Sequence, residues 1–369
     1  MKIERGKKSV KVLSLSLVFF VQLLAASTSS SETGANVNWL QTNKKVLEQH
    51  ILPRYEHLAE KTYAFLQLTQ QECVSDDVKA DDIDSWQRSY KELSLSWAAI
   101  QHIRFGPITY EQRFERIQYW PDKHNRGGRQ LQQLLNQNIK QMSLEQLSNK
   151  SVAVQGITAL ERLLFTDAGV LNEQACQLVV LIAQNLDEMA VQNIVAWTRP
   201  PVSFAREFLL VGNSLSVFSS SQELAGKLLA DLRTQLAIVE SLKLSRALPT
   251  IKGKLQPKPK RLEAWRSRQS LALITANLNS IRQLYQLGFA EHLHKSDNSL
   301  AEQVSVSFDR VFSLIDHFDI ALYELYADEN NQSQLVNFIA EVKQLRLLLG
   351  EQMPRQLAMG VSFNSLDGD

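Results

Sequence analysis

Over most of its length this chain places apolar residues three or four positions apart, the spacing of an α-helix with one buried face. The pattern runs through Leu40–Leu68, Ile83–Phe105, Leu131–Ile139, Val152–Phe165 and Ala175–Trp197. It resumes in Phe204–Val217, Glu223–Leu244, Leu262–Leu287, Leu300–Tyr326 and Leu335–Leu349. Short alternating runs of the kind that signal a sheet do not occur. Only 14 glycines and 9 prolines punctuate 369 residues, about half the usual frequency, so the backbone has few obligatory turns. The fold class is therefore all-α. Breaks are expected at Gly106-Pro107, Pro121–Gly128, Asp167–Gly169, Pro200-Pro201 and Pro249–Pro259, where Pro removes a donor or Gly frees the backbone. The double proline divides the pattern into two helical bundles, residues 36–200 and 201–369.

The N-terminus reads differently. Lys2, Arg5, Lys7, Lys8 and Lys11 precede an apolar run from Val12 to Ala26, the layout of a secretory signal peptide. Its core of about thirteen residues is short of the ~20 that span a bilayer. Cleavage is expected within Ala25–Ser31, with no cysteine nearby to take a lipid, and no apolar run of spanning length is expected after Ala26. These features predict a soluble protein of the periplasm or cell envelope. Removing residues 1–26 takes five basic and one acidic residue from totals of 40 and 39, leaving a net charge of −3. A chain with that balance is not expected to bind nucleic acid, which selects for a basic surface.

Cys73 and Cys176 are the only cysteines. In an oxidising compartment they form either one disulfide, closing a loop of about a hundred residues, or two separately buried thiols. Spacing alone leaves both open.

Two charges fall on apolar faces. At about 100° per residue, with Val154 at 0°, Ile157, Leu160 and Leu164 occupy roughly 240–300° and Glu161 falls near 340°. A carboxylate there must be paired, protonated or bound to something, because leaving it alone costs several kcal/mol. A helix running from Trp86 to Arg104 gathers Trp86, Tyr90, Leu93, Trp97 and Ile100 into one stripe, and Arg104 lands within it, roughly 20° from Trp97. Its guanidinium needs an anion or aromatic faces, and Glu161 is the obvious internal anion. Two readings stand: a buried Arg104–Glu161 pair that orders the bundle, or a pocket in which both hold a ligand or metal. His102 falls on the opposite side of the same wheel, about 140° from Trp97, which predicts exposure.

Common catalytic signatures are missing. The seven histidines contain no H-E-x-x-H, and no G-x-S-x-G, Walker or dinucleotide loop is present. His292 and His294 beside Glu291, and His317 between Asp316 and Asp319, read as polar surface clusters or as metal ligands. The segment Lys252–Arg261 holds five cations around its prolines and reads as a solvated loop or as a docking surface for an acidic partner.

Four blocks resemble the imelysin-like family: Trp97-Ala-Ala-Ile-Gln-His-Ile-Arg104-Phe105-Gly106-Pro107, Arg116-Ile-Gln-Tyr-Trp120-Pro121-Asp122, Gly156-Ile-Thr158-Ala-Leu-Glu161 and the tail Gly360–Asp369. The resemblance implies an exported bacterial protein with two helical bundle domains, from a family named for a peptidase activity and also associated with iron acquisition. Its proposed functional motif, G-x-H-x-x-E, becomes Gly156-x-Thr158-x-x-Glu161 here. Threonine is a poor metal ligand and no general base near neutral pH, so the histidine's role does not carry over, and the resemblance leaves open whether the chain is an enzyme. A site built on Glu161 alone favours iron or another hard, oxygen-seeking cation as its cofactor.

The resulting expectation is a non-catalytic binding component of the cell envelope linked to iron uptake, acting with an envelope protein partner. Glu161, also the metal ligand, and Arg104 form its site, with Thr158 offering a hydroxyl, Gly156 permitting close approach, and Trp86 and Trp97 walling the pocket. Two alternatives are an imelysin-type peptidase using Glu161 with a base such as His124, and an interaction module whose buried ion pair is structural. The resemblance further implies that Asn364 and Asp367 tie the tail back against the bundle.

Overall fold

The computed structural model describes residues 38–73, 80–166, 171–201, 203–212 and 216–359. The signal-peptide reading and the tail residues Asn364 and Asp367 lie outside them. The chain begins with α1 (Trp39–Val46), which runs through a wider, π-type turn at Leu47–Ile51 into α2 (Leu52–Glu72). There follow α3 (Ala80–Ala98), α4 (Arg113–Ile117), α5 (Arg126–Leu135), α6 (Leu144–Ser148), α7 (Gly156–Leu164) and α8 (Glu173–Thr198). Past the prolines come α9 (Phe204–Leu209) and α10 (Ser221–Ala237), extended by a second π-type turn at Ile238–Leu244. A small hairpin pairs β1 (Thr250–Ile251) with β2 (Lys254–Leu255). The chain closes with α11 (Ser270–Gly288), α12 (Ala290–Ser296), α13 (Asn298–Asp316), α14 (Leu322–Ala327), α15 (Gln332–Leu347), a third π-type turn at Leu348–Gln352, and α16 (Met353–Gln356).

Helix starts follow local chemistry. Asn172 accepts from the Ala175 N–H to open α8, Ser220 from Glu223 to open α10, and Asp297 from Leu300 to open α13. Each satisfies a backbone donor that the first helical turn leaves free, typically worth about 1 kcal/mol.

In the first half, α2 lies along α8 and α3, and α7 packs on α8 and α3. In the second, α10, α11, α13 and α15 pack on one another. Helices on the two sides of Pro200 also touch: α1 rests on α10 and α11, and α3 on α11. The aromatic core is continuous across the proline break, where Trp197 meets Phe204 edge-on at 4.9 Å and Phe105 stacks on Phe208 at 6.2 Å. Burying such rings stabilises by about 2–3 kcal/mol each.

Four expectations need correction. First, α8 is long and apolar enough by composition to cross a membrane; it is a core helix, with Cys176, Leu178, Val179, Ile182 and Leu186 buried. Second, the helix predicted to reach Arg104 and Phe105 stops at Ala98, and the chain turns through Ala99–His102. Third, the helix predicted from Leu262 starts only at Ser270. Fourth, the hairpin adds strand where none was expected; with two residues per strand it is too short to show alternation.

Of the two cysteine readings, the structure takes the bridge. Cys73, at the end of α2, is bonded to Cys176, near the start of α8, with Cα atoms 5.9 Å apart and a sequence separation of 103. A loop that long restricts the unfolded chain by about 4–5 kcal/mol in the chain-entropy picture.

Candidate functional site

The local chain path at α7 depends on Gly156. Its φ is +73°, and a Cβ there would come 2.2 Å from the Ile117 carbonyl oxygen and 2.3 Å from that of Arg116. Glycine is thus required both for the backbone conformation and for the close approach of the Arg116–Ile117 segment. Near the start of the helix Thr158 is half-buried, and Glu161, three residues on and on the same side of the helix, is 4% exposed.

Glu161 meets the turn that precedes α11. Its Oε1 accepts from the backbone N–H groups of Arg266 and Ser267, both at 3.0 Å, and lies 3.1 Å from Ser267 Oγ. Ala264 and Arg268, with φ of +51° and +58°, curl this turn, so that successive N–H groups aim at one oxygen as in an anion-binding nest. Oε2 has no hydrogen-bond partner among the described residues. Burial pushes the Glu161 pKa up, and the Ser267 N–H, the Arg266 charge and the Ser267 hydroxyl pull it partly back. The surroundings are cationic: Arg266 lies over the Trp265 ring, 4.3 Å from its centroid, and feels the Arg162 charge. Arg162 is itself paired with Asp122 at 2.8 Å.

The Arg104–Glu161 pair does not form. Because α3 ends six residues before Arg104, the wheel that placed it on the Trp97 stripe does not apply. Its guanidinium instead sits over Phe114, 4.4 Å from the ring centroid, and its backbone N–H donates to Asp231 Oδ2 at 2.8 Å. Of the two partners foreseen for the guanidinium, the aromatic face is present; among the described residues no carboxylate is ion-paired with it, and Asp231, paired with Lys227, acts on it only through its charge. His102 is a second correction. The same turn carries it inward, to 0% exposure. Its Nε2 is 2.8 Å from His50 Nε2, and His50 Nδ1 bonds Gln283 at 2.9 Å. Burial and the nearby Arg54 charge lower the His50 pKa to about 3, and burial likewise drives that of His102 down.

The tryptophans are fully buried and directed elsewhere: Trp86 Nε1 donates to Glu72, and Trp97 Nε1 to Gln118 at 2.8 Å. Gln118 leads to a second buried carboxylate. Its Nε2 donates to Glu263 Oε1 at 2.8 Å, while Lys243 Nζ lies 2.6 Å from Glu263 Oε2 and donates to Asn277 at 2.6 Å. Asn277 in turn donates to the Ala98 carbonyl. The sequence did hold a signal for these groups. The wheel applied to Ser221–Leu244 would have put Asp231 and Lys243 among Leu224, Leu228, Leu232 and Val239. Arg266 and Ser267 had no such signal, because they act through a turn. Two of the three π-type turns carry a buried polar side chain, His50 or Lys243. A local change of helical phase that re-aims a side chain is a recurrent use of such turns.

The helical architecture around the Glu161 clamp is shared with known proteins. The imelysin family profile, which carries a peptidase designation, matches residues 51–349. The chain belongs to the imelysin family. Among solved structures it is similar to an imelysin-like protein from Psychrobacter arcticum 273-4, with a TM-score of 0.72 at 20% identity over 88% of this chain and 98% of that one. A protein from Parabacteroides distasonis ATCC 8503, provisionally named iron-regulated protein A precursor, superposes with a TM-score of 0.69 at 13% identity, over 87% and 97% of the two chains. At these identities the likeness establishes the fold. A search of curated proteins returned no match. Within this imelysin-family chain, Gly156, Thr158 and Glu161 lie on one helical segment, α7.

Proposed function

We propose that this imelysin-family protein is an exported, non-catalytic binding component of the cell envelope, linked to iron handling, and that Glu161 holds its ligand. The observation that carries the proposal is the asymmetry of the Glu161 carboxylate: Oε1 is saturated by the Arg266–Ser267 turn, whereas Oε2 is left without a partner among the described residues. A carboxylate fixed by one oxygen offers the other at low entropic cost. Among the described residues no three His, Cys, Asp or Glu side chains form a metal-sized group. A hard cation such as ferric iron is therefore taken in a complex that brings its own oxygen ligands, with Glu161 adding one. The guanidiniums of Arg266 and Arg162 suit the negative charge of such a complex better than a bare cation. Thr158, on the same side of α7, offers a hydroxyl. Export is proposed from the basic and apolar N-terminus; the Parabacteroides neighbour is itself named a precursor. An envelope protein is the proposed partner that delivers or receives the ligand.

The non-catalytic reading rests on proton chemistry. The motif's imidazole position is Thr158, and His124, exposed on the Lys123–Asn125 turn, is not hydrogen-bonded to Glu161. Calorimetric titration with ferric citrate, calcium and zinc tests the proposal. Stoichiometric binding of ferric citrate is expected for the wild type, with loss in Glu161→Gln. Cleavage of denatured protein substrates that disappears in Glu161→Gln would replace the binding reading with the peptidase one.

A further inference from the structure

The charge of this protein is strongly polarised. Residues 246–268 contain eight cations (Arg246, Lys252, Lys254, Lys258, Lys260, Arg261, Arg266, Arg268) and a single acid, Glu263. That acid is buried and paired with Lys243, so it neutralises none of the surface cations. The segment carries +7, while the rest of the chain beyond residue 26 carries −10. Lys252, Lys254, Lys258, Lys260 and Arg261 are exposed and have no acidic partner among the described residues. Arg268 alone is paired, with half-exposed Glu324 at 3.1 Å. The Arg246 pKa is lowered by burial and by the charge of Arg261 beside it, a repulsion that an anion between them would relieve.

The presentation of these charges is ordered. Thr250 pairs with Leu255 and Ile251 with Lys254 across a two-residue turn, Lys252-Gly253, in which both φ values are positive, as a tight right-twisted hairpin demands. Hydrogen bonds from Gln256 to Pro249 and from Lys258 to Ala247 anchor the hairpin to the body. Its tip exposes Ile251 at 39% beside Lys252 and Lys254. At its base Trp265 stacks on Tyr323 at 5.9 Å, with Lys260 and Arg266 over Trp265 and Arg268 over Tyr323.

We propose that the segment from Arg246 to Arg268 is a docking face for an anionic phospholipid bilayer, with the Ile251–Lys254 hairpin tip entering the headgroup layer and Trp265 and Tyr323 at its edge. Four of the five unpaired cations are lysines, compact point charges that suit a diffuse array of phosphates; reading particular carboxylates on a protein favours the planar fork of arginine. An exposed aliphatic tip flanked by lysines, backed by Trp and Tyr, is the composition of an interfacial anchor. The −10 remainder is repelled by an anionic plane, so the molecule lands in one orientation. Because the Arg266–Ser267 turn that clamps Glu161 belongs to this segment, docking brings the Glu161 site close to the bilayer.

The test is co-sedimentation of the chain without residues 1–26, the form proposed after export, with vesicles of phosphatidylethanolamine and phosphatidylglycerol, against vesicles of phosphatidylcholine, comparing wild type with K252E/K254E/K258E/K260E. The basic, apolar N-terminus would by itself hold the longer chain on anionic vesicles. The expected result is binding to the anionic vesicles that weakens steeply with salt and falls about a hundred-fold or more in the quadruple variant, while its melting temperature is kept. Ile251→Ser is expected to weaken binding several-fold with the salt dependence unchanged. Equal vesicle binding by wild type and quadruple variant overturns the proposal, as does failure of the wild type to bind. Binding of a polyglutamate peptide without vesicle binding reassigns the face to an acidic protein.

Discussion

Two of the buried carboxylates, Glu161 and Glu263, sit at nearly equal depth, 4% and 3% exposed, and both are tied to the segment leading into α11, yet they are neutralised in opposite ways. Glu263 is met by a buried ammonium, Lys243, and by Gln118, with Asn277 completing the lysine's shell. Glu161 is met on one oxygen by backbone N–H groups and a hydroxyl, with no direct ion pair. The first arrangement is closed: charge cancels charge, and each partner would be costly if left alone. The second is open: dipoles support the charge, and one oxygen is left over. Depth and residue type do not separate these two acids; the kind of partner does.

The largest expected effect breaks the closed site. Glu263→Gln leaves Lys243 buried without a counter-charge and is expected to cost about 3–5 kcal/mol in urea unfolding. The same substitution at Glu161 keeps an amide oxygen for the Arg266 and Ser267 donors and strands no charge, so its cost is expected to stay below about 1.5 kcal/mol. Equal costs would erase the distinction between the two sites. The double variant Lys243→Met/Glu263→Leu is expected to recover most of the loss, since a well-packed apolar pair often replaces a buried ion pair without penalty.

Gly156→Ala comes next and acts first on the open site. Its Cβ would strike the carbonyl oxygens of Arg116 and Ile117, and the backbone there has positive φ. A cost of about 2–4 kcal/mol is expected, with ferric citrate binding weakened because the start of the helix carrying Glu161 must move. Ile117 is followed by Gln118, which donates to Glu263, so the disturbance reaches the closed site as well. Addition of Lys243→Met to Gly156→Ala is therefore expected to depart from additivity by more than about 0.5 kcal/mol.

How much of this was legible beforehand follows the range of the interactions. Helical class, the break at Pro200-Pro201 and the inward turn of Glu161 are consequences of periodicity, which operates within one helix. His102 and Arg104 were placed by extending that periodicity past Ala98, where the backbone had already turned, so a wheel drawn beyond its helix put the first in solvent and the second beside Glu161 instead of over Phe114. The clamp on Glu161 joins residues more than a hundred positions apart through backbone N–H groups, which every residue but proline possesses, so no side-chain pattern could announce it. Lys243 and Asp231 were legible by the same arithmetic that found Glu161. The Cys73–Cys176 bridge was legible as a pair but not as a distance.

The smallest effect is a difference in how stability follows pH. Burial raises the folded-state pKa of Glu161 above its ordinary value near 4.5. Stability from that raised pKa is fully present below about pH 4.5 and is lost as pH rises through the folded value, because the unfolded chain releases the proton first. The histidine pair works the other way. His50, lowered to about 3, and His102, lowered as well, favour the folded state above pH 6.5 and withdraw that support as pH falls toward 3. The wild-type profile superposes both trends, but Glu161→Gln shares the histidines, and subtraction of the two profiles removes them. The expected remainder is a wild type that loses ground to Glu161→Gln as pH rises above 4.5, with a slope of at most about 1.4 kcal/mol per pH unit. Urea unfolding of both proteins at closely spaced pH values measures it. A flat difference would mean that the three donors on Oε1 fully offset burial.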